Sequence, residues 1–167
     1  MKPKLLASMK SNNYLLNALT AMTSQDKGGS YGIQVDSEGN VGETCTGNVV
    51  IVDKAGVLRT PTFDGTILPG TTLQRAFALA PKLVEDGLLS DFEFCTVPAA
   101  TLHLATEVVI LGGGGIVPVV EVDGKPVGGG ESTPEPGPVF LALFKLLDAD
   151  MDGDEFTDEV PYHQYQK

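Results

Sequence analysis

The 167-residue chain carries 22 acidic against 11 basic side chains, a formal net charge of -11, and 42% of it is hydrophobic. That negative excess, with no cluster of Lys or Arg, excludes nucleic acid and an anionic membrane surface as natural partners and leaves small molecules. One domain with a sizeable core suits the length, no apolar run is long enough to span a bilayer, and the opening stretch lacks the apolar core of a signal peptide. The two cysteines, Cys45 and Cys95, have no CxxC spacing and point to a reducing compartment.

In chain order, Lys10-Ser11-Asn12-Asn13 leads into residues 14–22, whose apolar side chains fall at helical spacing and stop before Gly28-Gly29. Lys10 therefore stands just ahead of a helix. Residues 31–36 alternate as a strand, 37–40 read as a hairpin turn, and the return strand through Glu43 points Glu43 and Cys45 to one face. Residues 49–53 and 57–60 form a further hairpin around Lys54-Ala55-Gly56, ended by Pro61. From 71 to 84, Leu73, Phe77, Ala80 and Val84 keep a helical face that Pro81 interrupts and kinks and Gly87 closes. A strand over 92–97 precedes a short helix opened by Pro98, and strands over 107–111 and 117–122 flank the run Gly112 to Gly115. After the turn Asp123-Gly124-Lys125, residues 128–138 read as a flexible Gly/Pro-rich loop and 139–147 as the last helix. Strands with inserted helices and no regular βαβ repeat predict a mixed α/β domain over residues 1–151, followed by an acidic, mobile tail over 152–167.

Chemistry concentrates at few places. Glu43 is the one carboxylate in a run of small, hydroxylated and β-branched residues, so it needs a cationic partner, and the best cation upstream is Lys10. Two anion sites lie downstream. Gly70, Thr71 and Thr72 open a helix, whose N-terminus offers free N–H groups and a favourable dipole, and the backbone of the glycine run can bind phosphate as well. A dinucleotide fingerprint is excluded, because Ile116-Val117-Pro118 after the run reads as a strand where a helix is required.

An amine, a carboxylate and two phosphate-cradling turns in this order resemble the large domain of the fold-type IV (class IV) pyridoxal-phosphate aminotransferases, which include branched-chain and D-amino-acid aminotransferases and aminodeoxychorismate lyases. The matching motifs are Lys10 with Asn13-Tyr14-Leu15, Glu43 with Asn48 five residues on, and Leu68 with Gly70 and Thr72. The resemblance implies a strand-rich pseudo-barrel with helices, pyridoxal 5′-phosphate (PLP) as cofactor, an amino acid and a 2-oxo acid as substrates, a homodimer, and a cytoplasmic or plastid location. It implies that Lys10 is the Schiff-base lysine and proton carrier, that Glu43 keeps the pyridine nitrogen protonated, and that Thr71 N–H and the Thr72 hydroxyl hold the phosphate beside Gly70. Gly112 and Gly113 would add a second phosphate contact, reduced here because relatives carry Ser or Thr in that loop. Tyr14 would bond near the Schiff base, with Asn48 a turn or strand-edge residue at the cofactor site. Relatives also carry a small N-terminal domain with a phosphate-binding arginine. This chain begins nine residues before Lys10, so a fragment with weak cofactor binding and little transamination of its own is the expectation.

Plainer readings stand beside these. Lys10 is otherwise a solvated lysine, Glu43 a hairpin glutamate, Thr71 an N-cap, and Tyr14, His103, Cys45 and Cys95 packed core residues. Aminodeoxychorismate lyase is the alternative activity on the same fold, and a non-catalytic remnant is the alternative to an enzyme. A calcium-binding protein is the other competitor, because Asp148-x-Asp150-x-Asp152-Gly153 followed by Glu159 fits an EF-hand loop, although Glu155 takes a position that is normally apolar and Pro161 blocks the exiting helix. No metal site is expected.

Overall fold

The computed structural model describes residues 2–113, 115–129 and 135–153. In chain order these form α1 (Lys4–Ala7), α2 (Leu15–Asp26), β1 (Ile33–Val35), β2 (Val41–Thr44), β3 (Asn48–Val52), β4 (Val57–Thr60), α3 (Thr71–Glu85), β5 (Asp91–Phe94), β6 (Glu107–Gly112), β7 (Gly115–Val119), β8 (Glu121–Val122), β9 (Lys125–Pro126) and α4 (Pro138–Met151), with 3-10 turns at Ala99–His103 and Val127–Gly129. The domain is mixed α/β, as its patterning predicts. No described helix is long and apolar enough to cross a membrane.

Strand β3 is the axis of the sheet. Its Val49-Val50-Ile51-Val52 run is β-branched, which suits an extended backbone, and all five of its residues are buried. Antiparallel β6 pairs along one edge from Asn48 and Leu111 to Val52 and Glu107. The other edge is shared, by β2 at the pair Glu43 and Asn48 and by β4 at Ile51 and Val52. The crossover β4–α3–β5 then brings β5 parallel to β4. Beyond β5 the chain returns to β2, where Val41 N–H donates to the Val97 carbonyl at 2.8 Å and Asn40 bridges Pro98, so the sheet curls back on itself.

Side chains alternate along a strand, so β3 and β6 are buried on both faces. Val50, Val52, Val109 and Leu111 pack against α3 and α4, while Val49, Ile51 and Val108 pack with Val41, Leu102 and Val122 on the other side. Burying each aliphatic side chain contributes about 1.5–3 kcal/mol.

Several elements depart from the sequence expectation, each for a local reason. Helix α3 is not interrupted at Pro81 but runs to Glu85. Ala80 and Leu83 on either side of the proline are fully buried, and that packing offsets the missing N–H. The inward face of α3 uses Leu83, with Val84 only half-buried. Strand pairing reaches further into the glycine run than expected, because Gly112 pairs directly with Gly115, and Gly113 adopts φ 63°. Strand β5 ends at Phe94 and is largely exposed, since the chain leaves the ladder to reach β2. Val127–Gly129 form a 3-10 turn where a flexible loop is expected, and residues 130–134 of that loop lie outside the described residues.

Helix α4 begins at Pro138, one residue early, and continues to Met151. Proline at the first helical position loses no hydrogen bond. The buried Glu107 carboxylate caps this helix by accepting the Val139 and Phe140 N–H groups at 2.9 and 2.8 Å. Gly137 permits the arrangement, because a Cβ there would overlap the same carboxylate. Asp148 and Asp150 thus sit on a helix and not in an ion-binding loop. Arg75 of α3 grips Asp150 through both oxygens, Nε to Oδ2 at 2.6 Å, and holds its carboxyl below the usual range. Gly114, Glu155, Glu159, Pro161 and the tail from residue 154 onward lie outside the described residues.

Candidate active site

The five-residue spacing between Glu43 and Asn48 is a hairpin. Strand β2 ends, the chain turns through 45–47, and β3 begins with Asn48 directly opposite Glu43. Thr44 ties this turn together, its hydroxyl donating to the Gly47 carbonyl at 2.9 Å and accepting the Gly47 N–H at 2.8 Å. The Asn17 amide on α2 and the hydroxyl of Tyr14, just ahead of that helix, both donate to the Cys45 carbonyl, at 2.6 and 3.0 Å.

The facing pair holds both polar groups of one residue, Leu68. Glu43 Oε2 accepts the Leu68 N–H at 2.9 Å, and Asn48 Nδ2 donates to the Leu68 carbonyl at 2.9 Å. This docks the turn before α3 onto β2 and β3. Gly70 is required for the approach, because a Cβ there would overlap Asn48 Oδ1. Helix α3 then starts at Thr71 with no side-chain cap at Gly70, so its first-turn amides are open to a ligand.

The glycine turn approaches from the other side. A Cβ on Gly112 would stand 2.6 Å from the Thr46 carbonyl oxygen, and one on Gly47 would stand 2.7 Å from that of Leu111. Only glycines let the β6–β7 turn close against the β2–β3 turn.

A cavity of about 550 Å³ lies among these elements. Lys10, Tyr14, Glu43 and Asn48 line it together with residues 70–72 and 112–113, so every sequence-predicted site residue meets at one place. Their partners differ from expectation in one respect. The cation on Glu43 is Lys2 and not Lys10, with Lys2 Nζ 2.7 Å from Oε1 and side-chain exposures of 15% and 7%. Lys10, on the segment between α1 and α2, is exposed while lining the cavity, whereas Lys2, ahead of α1, reaches inward. Tyr14 is 44% exposed and Asn48 is buried.

Sequence reasoning missed Lys2 and Asn17. Lys2 carries no motif, and Asn17 sits on α2 among apolar residues, where only tertiary contact with Cys45 reveals its role. His103 is not packed, as its helical setting suggests, but exposed, with Nε2 3.8 Å from Asp123 Oδ2. Cys45 is buried, while Cys95 is half-buried with its sulfur 3.9 Å from Arg59 Nη1, and both are free thiols. Among the described residues no group of three or more His, Cys, Asp or Glu could hold a metal ion.

Known proteins resemble this chain in sequence and in fold. The chain is 36% identical over 153 residues to the chloroplastic D-amino-acid transaminase of Arabidopsis thaliana, covering 90% of this chain and 40% of that protein. It is 34% identical to the branched-chain-amino-acid aminotransferase of Escherichia coli K12, covering 84% of this chain and 44% of that one. The crystal structure of an Escherichia coli branched-chain amino acid aminotransferase superposes with a TM-score of 0.79 at 29% identity, over 95% of this chain and 52% of that one. The Thermobaculum terrenum enzyme in its PLP form gives 0.78 at 25% identity, over 90% and 47%. The chain spans less than half the length of the two curated relatives. The family described as amino-transferase class IV matches residues 2–122, and the chain belongs to that family.

Proposed function

We propose that this chain is the cofactor-bearing part of a PLP-dependent transaminase that moves an amino group between a branched-chain or D-amino acid and a 2-oxo acid, within a homodimer and in a reducing compartment. One observation carries the reading: Lys10, Glu43 and the uncapped start of α3 open on a single cavity. The names of the relatives support the two substrate classes. The donor set fits the cofactor. A buried carboxylate already engaged with an ammonium can take a pyridinium N–H, and the open amides at the start of α3 can take a phosphate. The volume lies within the usual range for small-molecule sites. When bound, PLP supplies an electron sink for the substrate's α carbon.

The chain's own residues then divide the work. Glu43, oriented by the Leu68 N–H, holds a proton on the ring nitrogen, because an ionised carboxylate favours the charged form of a neighbouring base. Lys10 would contribute the amine that takes the proton from the substrate's α carbon and delivers it to C4′ of the cofactor. Thr71 and Thr72 orient the phosphate end, and Asn48 on β3 keeps their turn docked beside Glu43 on β2. Tyr14, its hydroxyl donating to the Cys45 carbonyl, keeps capacity to accept a hydrogen bond.

Borohydride trapping at saturating PLP, followed by peptide mapping, tests the assignment. The pyridoxyl label is expected on Lys10. A label confined to Lys2, Lys4 or Lys27 would overturn it.

A further inference from the structure

Both oxygens of Glu43 are engaged within the chain, Oε1 by the Lys2 ammonium at 2.7 Å and Oε2 by the Leu68 N–H at 2.9 Å. The second bond comes from the sheet side of the cavity. The first comes from a segment with little else to hold it. Within α1 only Ala7 is buried, while Leu5, Leu6 and Met9 are exposed. Its other ionic tether is an exposed pair, Lys4 Nζ to Asp64 Oδ2 at 3.3 Å. Asp64 itself is held below the usual carboxylate range first by the Thr66 hydroxyl, and Lys4 adds to that. Segment 2–9 therefore lies along the cavity as a strap fastened mainly by charge.

A buried carboxylate left without a cation is strongly unfavourable, so Glu43 needs one whether or not a ligand is present. The proposed function gives it a second cation, the protonated ring nitrogen of PLP, which is also an N–H donor. Oε1 has a lone pair to spare, but two cations held at one oxygen repel each other, so Lys2 and the ring N–H compete for it. We infer that Glu43 is a cation-exchange point: Lys2 occupies it in the ligand-free chain, and PLP binding displaces Lys2 and releases the 2–9 strap. This rests on the proposed function, since it requires the ring nitrogen to meet Glu43. Glu43 stays paired in both states, and the binding-competent form is the fraction of molecules in which Lys2 has swung away. The apparent affinity for PLP is lowered by that fraction.

The test compares PLP titrations of the whole 167-residue chain and its Lys2→Met variant, followed by cofactor absorbance. Methionine keeps most of the apolar stem and removes the charge. The variant is expected to bind PLP about 10-fold tighter, as when one molecule in about ten has Lys2 withdrawn. Hydrogen exchange on the unaltered chain gives a second reading that does not depend on the variant folding: amides of residues 4–9 are expected to exchange faster with PLP than without. Equal or weaker binding by Lys2→Met, or unchanged or slower exchange in the strap, overturns the inference while the proposed function stands. Failure of PLP to bind either protein overturns both.

Discussion

Two walls of one cavity are built in different ways. On the sheet side, Glu43, Thr44 and Asn48 are all at most 5% exposed, and each is tied by a bond to a residue distant in sequence or by a turn with no slack. On the other side, α2 buries only Asn17 over twelve residues, and Leu15 is 66% exposed on the same helix. The sheet wall is determined by β-strand register, which cannot shift by one residue without turning every side chain to the opposite face. The helical wall is set by a few polar tethers over an apolar surface that the described residues leave open. On the proposed function, Glu43 and Asn48 stand on the firmly tied wall, while Tyr14 and Lys10 stand with the lightly tied one.

Substitutions can break this contrast. The largest effect is expected from the sheet side. Glu107→Ala removes the carboxylate that caps α4 and leaves two buried N–H groups without an acceptor, a loss of about 3 kcal/mol. Chemical denaturation would measure it, and a change under about 1 kcal/mol would mean that α4 is held without its cap. Asn48→Ala removes one of two donors to the Leu68 carbonyl, which keeps the Gly70 N–H at 2.8 Å, and is expected to cost about 1 kcal/mol, with a matching fall in PLP affinity because the start of α3 loses one of its two ties to the sheet. A stability loss with affinity intact would separate the turn from the cofactor site. The smallest effect belongs to the strap: Lys4→Ala breaks an exposed pair and is expected to change stability by no more than about 0.5 kcal/mol. Should it rival Asn48→Ala, the two walls are equally firm and the contrast fails.

Much of the site was legible before any coordinates. Lys10 ahead of a helix, Glu43 five residues before Asn48, and Gly70-Thr71-Thr72 opening a helix are local patterns, and the structure gathers them around one cavity. The element types were legible for the same reason, because period 2 and period 3.6 are local properties of a chain. Misreadings came where tertiary packing overrides local preference. Pro81 lies within a helix because Ala80 and Leu83 are core residues, and Gly112 and Gly115 belong to strands because the β6–β7 ladder continues into the glycine run.

By itself the sequence determined the family, the mixed α/β class and the list of groups able to do chemistry, since each depends on residue identity and short spacing. Only the tertiary structure decided which cation sits on Glu43, why Asn48 accompanies it, and what caps α4. Those contacts join residues 41, 20 and 32 positions apart. No local pattern marks Lys2 over Lys10 as the partner of a buried carboxylate; the choice depends on which amine the folded backbone brings within reach.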